Sequence, residues 1–439
     1  MLPDDVLLAI FDLYRTNKKG PWETLVHVCR RWRCLVFGSP RRLKLRLVCT
    51  PRTPARESLD IWPALPLVVE GRIVSSTPVD NIIAALGHSD RVRGIYLHGA
   101  TRSLQWDKVF AAMQVPFPAL TGLLLLCKNE QGLVIPDTFL GGSASRLRYL
   151  HMDYIPFPGI HNLLLSATHL TDLELSRIPH SGYISPEGMA TCLSVMTSLD
   201  SLSLEFLSSR SRRPLPPMTR SILPNLTHFW FKGASEYLDD LVARVDAPQL
   251  DYLHINFLLQ TNFDTPHLVQ FISRTPRFQE PNEAYVSLHP YPVVRLSEDG
   301  ECRVEFLCEE SGPQVSYITW VCTMCLPPLR TVEKLRLEVS ENDLSYSGLD
   351  WIDDVEDDQW LELLHPFTAV KNLHLFEEFQ PKTASALQEL VGGRTTEVLP
   401  SLQNIFLESF KDSGPFQEAI RPFVAAREVS GHPIAVLPS

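Results

Sequence analysis

The chain lacks any long apolar run. Its hydrophobic stretches, such as the one around Leu123 to Cys127, fall far short of the roughly 20 residues that a membrane-crossing helix needs. No charged-then-apolar leader stands at the start. Disulfide patterning is missing as well: nine cysteines, an odd number, are scattered at 29, 34, 49, 127, 192, 302, 308, 322 and 325, without the spacing of a cross-linked secreted fold. These absences predict a soluble protein of a reducing compartment, cytoplasmic or nuclear, with no membrane partner.

Catalytic signatures are absent too. There is no GxSxG elbow, no HExxH, no GxxxxGK[ST] phosphate loop and no GxGxxG after a strand. No enzyme, no catalytic residue and no cofactor is therefore expected. The one CxxC, Cys322 to Cys325, has no second pair at zinc spacing, and reads as two small apolar side chains on one helical face. No metal site is expected.

A basic excess is likewise missing. The net charge is −11 over 439 residues, which argues against nucleic acid as a partner because an acidic surface repels phosphate. The charge is uneven: residues 1–60 carry twelve Lys or Arg against six Asp or Glu, net +6, leaving −11 − 6 = −17 for residues 61–439. Between Glu341 and Glu362 lie nine acidic residues and no Lys or Arg, the pattern of a solvated insertion.

What is present begins at the N-terminus. Leu2 and Pro3 precede Asp4 and Asp5, placing proline at a predicted first helical position and two carboxylates at the positive end of the helix dipole. Val6, Leu7, Ile10, Phe11 and Tyr14 follow at spacings of one, three and four, an amphipathic stripe. Lys18 to Pro21 break it. A second stretch runs from Trp22 through Leu25, Val28 and Cys29, and a third carries Trp32, Leu35 and Phe37 before Ser39 and Pro40. Three short helices are predicted.

These residues resemble an F-box. The resemblance rests on Leu-Pro-Asp-Asp-Val-Leu-Leu-x-Ile-Phe, then Leu-Val-x-Val-Cys-Arg-x-Trp-Arg-x-Leu-Val and Ser-Pro, and covers roughly Met1 to Leu45. After Ser-Pro the family's Leu-Trp is replaced by Arg41-Arg42-Leu43. The resemblance implies docking on a Skp-type adaptor of a cullin (SCF) ubiquitin ligase. It assigns the first-helix contact to Leu2, Pro3, Val6, Leu7, Ile10 and Phe11, and the later contacts and module interior to Val28, Cys29, Trp32 and Leu35.

From about residue 60 a repeat dominates. The frame Leu-x-x-Leu-x-Leu, with conservative swaps, begins at Val92, Leu120, Leu147, Leu170, Leu199, Leu226 and Leu250, and successive starts differ by 28, 27, 23, 29, 27 and 24 residues. Further frames begin at Val332, Val370 and Leu402, and an earlier strand is expected over Pro66 to Val69. The period lies in the leucine-rich-repeat range, in which each unit supplies one strand and a helical or irregular segment behind it. The predicted fold class is therefore α/β. A leucine-rich-repeat solenoid, with a curved parallel sheet on its concave face and helices behind, is expected over residues 60–439, and a three-helix module over residues 1–48.

The 82-residue gap between Leu250 and Val332 departs from the frame. Strand-like runs there, joined through Glu298-Asp299-Gly300, predict a hairpin-like insertion near residues 278–310, with a divergent pair of repeats as the alternative. Across this half, phrases such as SRTPRFQEPNEAYVSLH, WLELLHPFTAVKNLHLFEEF and FVAARE resemble the fungal F-box-like proteins with leucine-rich repeats.

Residues between the inward leucines of a strand point to the opposite face. Those expected on the concave surface are Tyr96 and His98; Tyr149, His151 and Asp153; Asp172 and Glu174; Ser203 and Glu205; His228, Trp230 and Lys232; and Tyr252, His254 and Asn256. Aromatic anchors among polar neighbours are the make-up of a protein-binding hot spot, with Trp230 and Tyr252 foremost. His151, His228 and His254 are expected at corresponding repeat positions. An arginine-rich loop, Ser208 to Pro217, and an acidic stretch, Asp350 to Asp358, are weaker candidates. The resulting expectation is a substrate-recognition adaptor whose repeats hold an unidentified protein target. The alternative is a leucine-rich-repeat interaction scaffold acting outside any ligase.

Overall fold

The computed structural model describes residues 2–17, 23–38, 45–52, 55–61, 64–74, 76–99, 104–127, 135–157, 159–206, 220–258, 265–288, 291–298, 300–308, 314–338, 355–376, 379–391, 394–408 and 414–438. The loop Ser208 to Pro217 and the stretch from Asp350 to Asp354 lie outside them. Two compact units emerge, the first comprising Met1–Ile184, Thr191–Leu199 and Ser203–Leu207, the second Ser185–Ala190, Asp200–Leu202 and Ser208–Ser439.

The first unit opens on three helices, α1 (Asp4–Asn17), α2 (Glu23–Val26) and α3 (Arg30–Gly38). The Leu7 amide donates to the Pro3 carbonyl at 3.1 Å, so Pro3 caps α1 one position earlier than its expected place inside the helix. Two arginines of this region have local partners. Arg31 pairs with Asp4 and donates to the Leu2 carbonyl at 2.6 Å, and Arg33 Nε donates to the Val26 carbonyl at 2.9 Å. Phe11 meets Trp32 edge-on, with ring centroids 4.8 Å apart.

A parallel sheet follows in chain order: β1 (Leu45–Cys49), β2 (Leu67–Arg72), β3 (Val92–Gly99), β4 (Gly122–Cys127), β5 (Tyr149–Asp153) and β6 (Asp172–Ile178). Between them run α4 (Ala55–Ile61), α5 (Ser76–Leu86), α6 (Leu104–Ala112) and α7 (Ile160–Ser166). The sheet thus begins at Leu45, before the expected start at residue 60: β1 contains no repeat frame and borrows its register from β2. Two further elements, α8 (Pro186–Ser194) and β7 (Ser201–Phe206), have residues assigned to both units.

The second unit contains β8 (Ser221–Ile222), β9 (His228–Gly233), β10 (Val245–Asp246) and β11 (Tyr252–Phe257), then β12 (Glu283–Ser287), β13 (Val293–Glu298), β14 (Glu301–Leu307), β15 (Lys334–Glu338), β16 (Asn372–Phe376), β17 (Asn404–Glu408) and β18 (Ala435–Pro438). Its helices are α9 (Ser235–Val242), α10 (Pro266–Arg274), α11 (Gln314–Trp320), α12 (Asp357–Leu364), α13 (Gln380–Gln388) and α14 (Gly414–Val429). β8 and β10 form a separate parallel pair.

The expected hairpin near residues 278–310 is a three-stranded antiparallel meander within the sheet. β14 lies parallel to β11, β13 antiparallel to both β14 and β12, and β12 parallel to β15. Two reversals restore the original strand direction, so the parallel order resumes at β15. The third strand, β12, is set off from β13 in the sequence by Pro290 and Pro292.

The inward positions of every frame form the core. Ile95, Leu97, Leu123, Leu125, Leu150, Met152, Leu173 and Leu175 are buried in the first unit, as are Phe229, Phe231, Leu253, Ile255, Leu335, Leu337, Leu373, Leu375, Ile405 and Leu407 in the second. One repeat cannot hide these side chains, whereas stacked repeats share a continuous core. The prolines before several frames have a structural cause. The first residue of most frames donates its amide to the carbonyl three residues back, as in Leu120 to Phe117 (3.1 Å), Leu226 to Leu223 (3.4 Å), Leu250 to Ala247 (3.1 Å) and Leu402 to Leu399 (3.1 Å). Pro118, Pro224, Pro248 and Pro400 therefore occupy the second position of a turn, where a fixed φ is favoured.

Candidate functional site

The sheet face opposite the buried leucines carries the polar and aromatic residues. Its rows are set by register, because opposed residues on neighbouring strands have side chains on one face.

In the first unit one row runs Val48, Glu70, Tyr96, Leu124, His151, Glu174 across β1 to β6. Tyr96 is half-buried, and its ring lies across Gly94 and Gly122: a Cβ on either glycine would sit 2.8 Å from Tyr96 atoms. His98 is exposed. Tyr149 Oη lies 3.3 Å from His151 Nδ1, which is 3.1 Å from Glu174 Oε2. Burial pushes the Tyr149 hydroxyl up to about 12, with help from Glu174. Burial also lowers the His151 pKa, outweighing the pull of Glu174 and Asp153. Asp172 is half-buried and accepts from Thr171 Oγ1 at 2.6 Å. Asp153 is buried under Arg177, whose Nε donates to it at 2.6 Å and whose guanidinium lies 4.2 Å from the Tyr154 ring centroid.

The second unit has a longer row. Trp230, His254, Glu305, Arg295, Tyr285, Arg336, His374, Phe406 and Leu437 follow one another in register across nine strands, from β9 through β11, β14, β13, β12, β15, β16 and β17 to β18. Trp230 stacks on His254 with centroids 5.5 Å apart and planes 10° from parallel; His374 stacks on Phe406 at 4.5 Å.

Glu305 is the hub. One carboxylate oxygen accepts from Tyr252 Oη at 2.8 Å and from His254 Nδ1 at 3.2 Å, and the other accepts from Arg295 Nε at 2.9 Å. Burial alone would raise its pKa, but the His254 hydrogen bond, the Arg295 charge and the Tyr252 hydrogen bond hold it down at about 2. Tyr252 moves the other way, raised by burial and by that same carboxylate. A second cluster surrounds Arg336, which donates from Nε to Glu283 at 2.6 Å and from Nη1 to Glu338 at 3.2 Å, while Lys334 Nζ lies 3.0 Å from Glu283. Burial works to raise the Glu283 pKa, yet Lys334 and Arg336 bring it below its ordinary value. His374 Nδ1 is 3.2 Å from Glu408; burial lowers its pKa.

Register also corrects the expected histidine alignment. His228 stands opposite Tyr252, and Trp230 opposite His254, because His228 is the third residue of its frame whereas His151 and His254 are the fifth. His228 is exposed and its ring centroid lies 6.2 Å from that of Tyr252. Trp230 and Tyr252 are both half-buried, on adjacent strands but in different rows.

Several members of the long row were not among the expected site residues. Arg336, His374 and Phe406 fill the fifth position of their frames, as Trp230 and His254 do, so the frame itself carried the signal. Glu305, Arg295 and Tyr285 had none, because the meander follows no frame.

At the N-terminus, Leu2 and Pro3 ahead of α1 and Val6 and Ile10 on it are exposed, while Leu7 and Phe11 turn inward. Val28 and Cys29 are exposed, and Trp32 and Leu35 half-buried. Elsewhere, Cys322 and Cys325 are buried in a π-helical turn, and burial pushes the Cys325 thiol up to about 12. Cys322 borders an open cleft of about 410 Å³ between helical segments, with Val269, Met324, Leu329 and His365. Among the described residues no group of His, Cys, Asp and Glu is arranged to hold a metal ion, and no helix is long and apolar enough to cross a membrane.

No family model and no curated protein matches the chain. Among solved structures the chain is similar to the leucine-rich repeat-containing protein LegL7 from Legionella pneumophila, at 13% identity over 87% of this chain and 97% of that one, with a TM-score of 0.27.

Proposed function

We propose that this chain is a substrate-recognition adaptor of an SCF-type ubiquitin ligase, acting in the cytoplasm or nucleus. Its N-terminal helices dock on a Skp-type subunit, and its repeats, of the leucine-rich type, hold a protein target on the polar face of the sheet. The observation that carries this reading is the exposed apolar edge of α1. Val6 and Ile10 are 38% and 42% exposed four residues apart, which places them on one side of the helix, and Leu2, just ahead of it, is 52% exposed. Leu7 and Phe11, on the inner side, hold the helix to its neighbours.

Such an adaptor contributes geometry and no covalent step. Holding a target beside a ligase-bound ubiquitin conjugate raises the effective concentration of its lysines. The aromatic and charged rows provide the hot-spot chemistry for that grip, and the ion pairs beneath them keep the side chains ordered before the target arrives.

Affinity purification of the full chain with a Skp-type subunit tests the reading. The subunit is expected to copurify with the intact protein and to be lost when Leu2→Ala is combined with Pro3→Ala. Retention by that variant, or absence from the intact protein, overturns the adaptor role.

A further inference from the structure

The turns that start β3 to β6 lie side by side at one end of the first unit's sheet. In two of them an arginine stands on each side of the frame's first residue, as Arg91-Val92-Arg93 and Arg146-Leu147-Arg148. Val92 and Leu147 are fully buried, so core packing fixes their neighbours at the rim. The turn between the two is neutral, Pro118-Ala119-Leu120-Thr121. Residues 89–93, 118–121, 144–148 and 167–172 hold four arginines against two aspartates, in a chain whose residues 61–439 carry −17.

These arginines differ from Arg295 and Arg336, which are tied to carboxylates. Among the described residues the side chains of Arg93, Arg146 and Arg148 have no hydrogen-bond or ion-pair partner. Arg146 and Arg148 are exposed and Arg93 half-buried, whereas Arg91 Nε donates to the Leu65 carbonyl at 3.0 Å. Of the two aspartates, Asp172 accepts from Thr171 Oγ1 at 2.6 Å and Asp90 is exposed next to Arg91. The Thr121 amide donates to the Arg93 carbonyl at 2.8 Å, and the Arg148 amide to the Thr121 carbonyl at 2.9 Å. Arg93, Thr121 and Arg148 are thus successive rungs of one ladder, and two strand spacings, roughly 10 Å, separate the arginines.

We propose that this rim receives an acidic segment of a partner protein, one carboxylate meeting Arg93 and a second meeting Arg148, while the segment crosses the neutral turn between them. An unpaired guanidinium offers its whole fork to a carboxylate, and a half-buried one such as Arg93 gains the counter-ion it lacks. Carboxylates three residues apart in a polyproline-like segment recur about every 9 Å, close to the separation of the two arginines. A short segment suits the rim better than a nucleic acid, because a long polyanion would also meet the acidic remainder of the chain.

The test uses the full chain and two fluorescein-labelled Pro/Ser peptides, one with Glu at every third position and one with Lys there instead. Fluorescence anisotropy is expected to show binding of the Glu peptide, weakened by added salt, with the Lys peptide at least tenfold weaker. Arg93→Gln combined with Arg148→Gln is expected to weaken the Glu peptide at least fivefold. Arg330→Gln combined with Arg421→Gln, which removes the same charge from exposed positions of the second unit, is expected to change it less than twofold. Because Arg93 and Arg148 lack side-chain partners, the first variant is expected to unfold at the wild-type urea midpoint, and Arg93→Lys with Arg148→Lys to recover most of the binding. The inference is overturned if the Glu peptide fails to bind at millimolar concentration, binds no better than the Lys peptide, is weakened equally by the two glutamine variants, or stays weak in the lysine variant. A labelled oligothymidylate of equal charge that binds more tightly than the Glu peptide overturns it in favour of a nucleic acid. Neither the Skp-type subunit nor the polar face of the sheet enters this inference, so its failure leaves the adaptor role standing, and loss of copurification leaves this one.

Discussion

His254 and Glu305 lie 51 positions apart in the chain, yet they face each other on β11 and β14 with Nδ1 3.2 Å from Oε2. The meander brings them together by laying β14, the last of its three strands, beside β11. Around this contact Tyr252 and Arg295 also converge on the carboxylate, so a polar hub with three side-chain partners comes from the segment that interrupts the repeat.

Glu305 makes stability depend on acid. Its pKa is depressed to about 2 from an ordinary 4.5, so its ionised form stabilises the fold fully above the unfolded value. That contribution, of about 2 kcal/mol after allowing for its partial exposure, is lost as pH falls from 4.5 towards 2. Glu305→Gln is expected to lower the urea midpoint at pH 7 and to flatten the decline between pH 5 and pH 3. Equal declines in the two proteins would show that the carboxylate is not the source.

Gly122→Ala is expected to destabilise the first unit through Tyr96. The added Cβ falls 2.8 Å from Tyr96 Oη, and swinging that ring aside costs about 1 kcal/mol. In a Tyr96→Ala background the same change should be neutral or mildly stabilising, since alanine then only removes the freedom of glycine. A double-mutant cycle by denaturant unfolding reads the difference.

Arg427 is a buried cation with backbone partners. It is fully buried on α14 and donates to the carbonyls of Thr395 at 3.1 Å, Pro400 at 3.3 Å and Leu402 at 3.1 Å; burial lowers its pKa. Arg427→Ala strands these acceptors and opens a cavity, a loss of about 3 kcal/mol. Limited proteolysis should then cleave around α14 well before the rest of the chain. Arg427→Lys is expected to rescue only partly, because one ammonium cannot reproduce the fork.

Thiol labelling should follow burial. Cys29 and Cys34 are exposed, whereas burial pushes the thiols of Cys49, Cys192 and Cys325 up to about 12. Iodoacetamide at pH 7.5 is expected to modify Cys29 and Cys34 first, with Cys322 and Cys325 reacting only on unfolding. Early modification of the Cys322–Cys325 pair, read by peptide mass mapping, would overturn its burial.

The strands and their inward faces were legible because they depend on local periodicity. Leu150 and Met152, or Leu373 and Leu375, alternate with polar neighbours on a pleated strand wherever that strand ends up, and Pro118 and Pro400 announce the turns before their frames. β1 and β12 were not legible in the same way, since neither contains a frame and each is defined by the neighbour it pairs with. The histidine alignment failed for a related reason: a frame shows which face a residue takes, while the row it joins needs the register between strands.

The amino-acid sequence by itself determined the repeat, the inward leucines, the turns that begin each frame and three amphipathic helices at the start, all products of interactions within a few residues. Tertiary structure alone decided that Glu305 would anchor Tyr252, His254 and Arg295, that nine side chains would align in one row, and that Arg295 would lie outside the carboxylate it pairs with. Those outcomes depend on register and relative burial between strands up to 53 positions apart, which follow only once the core has packed.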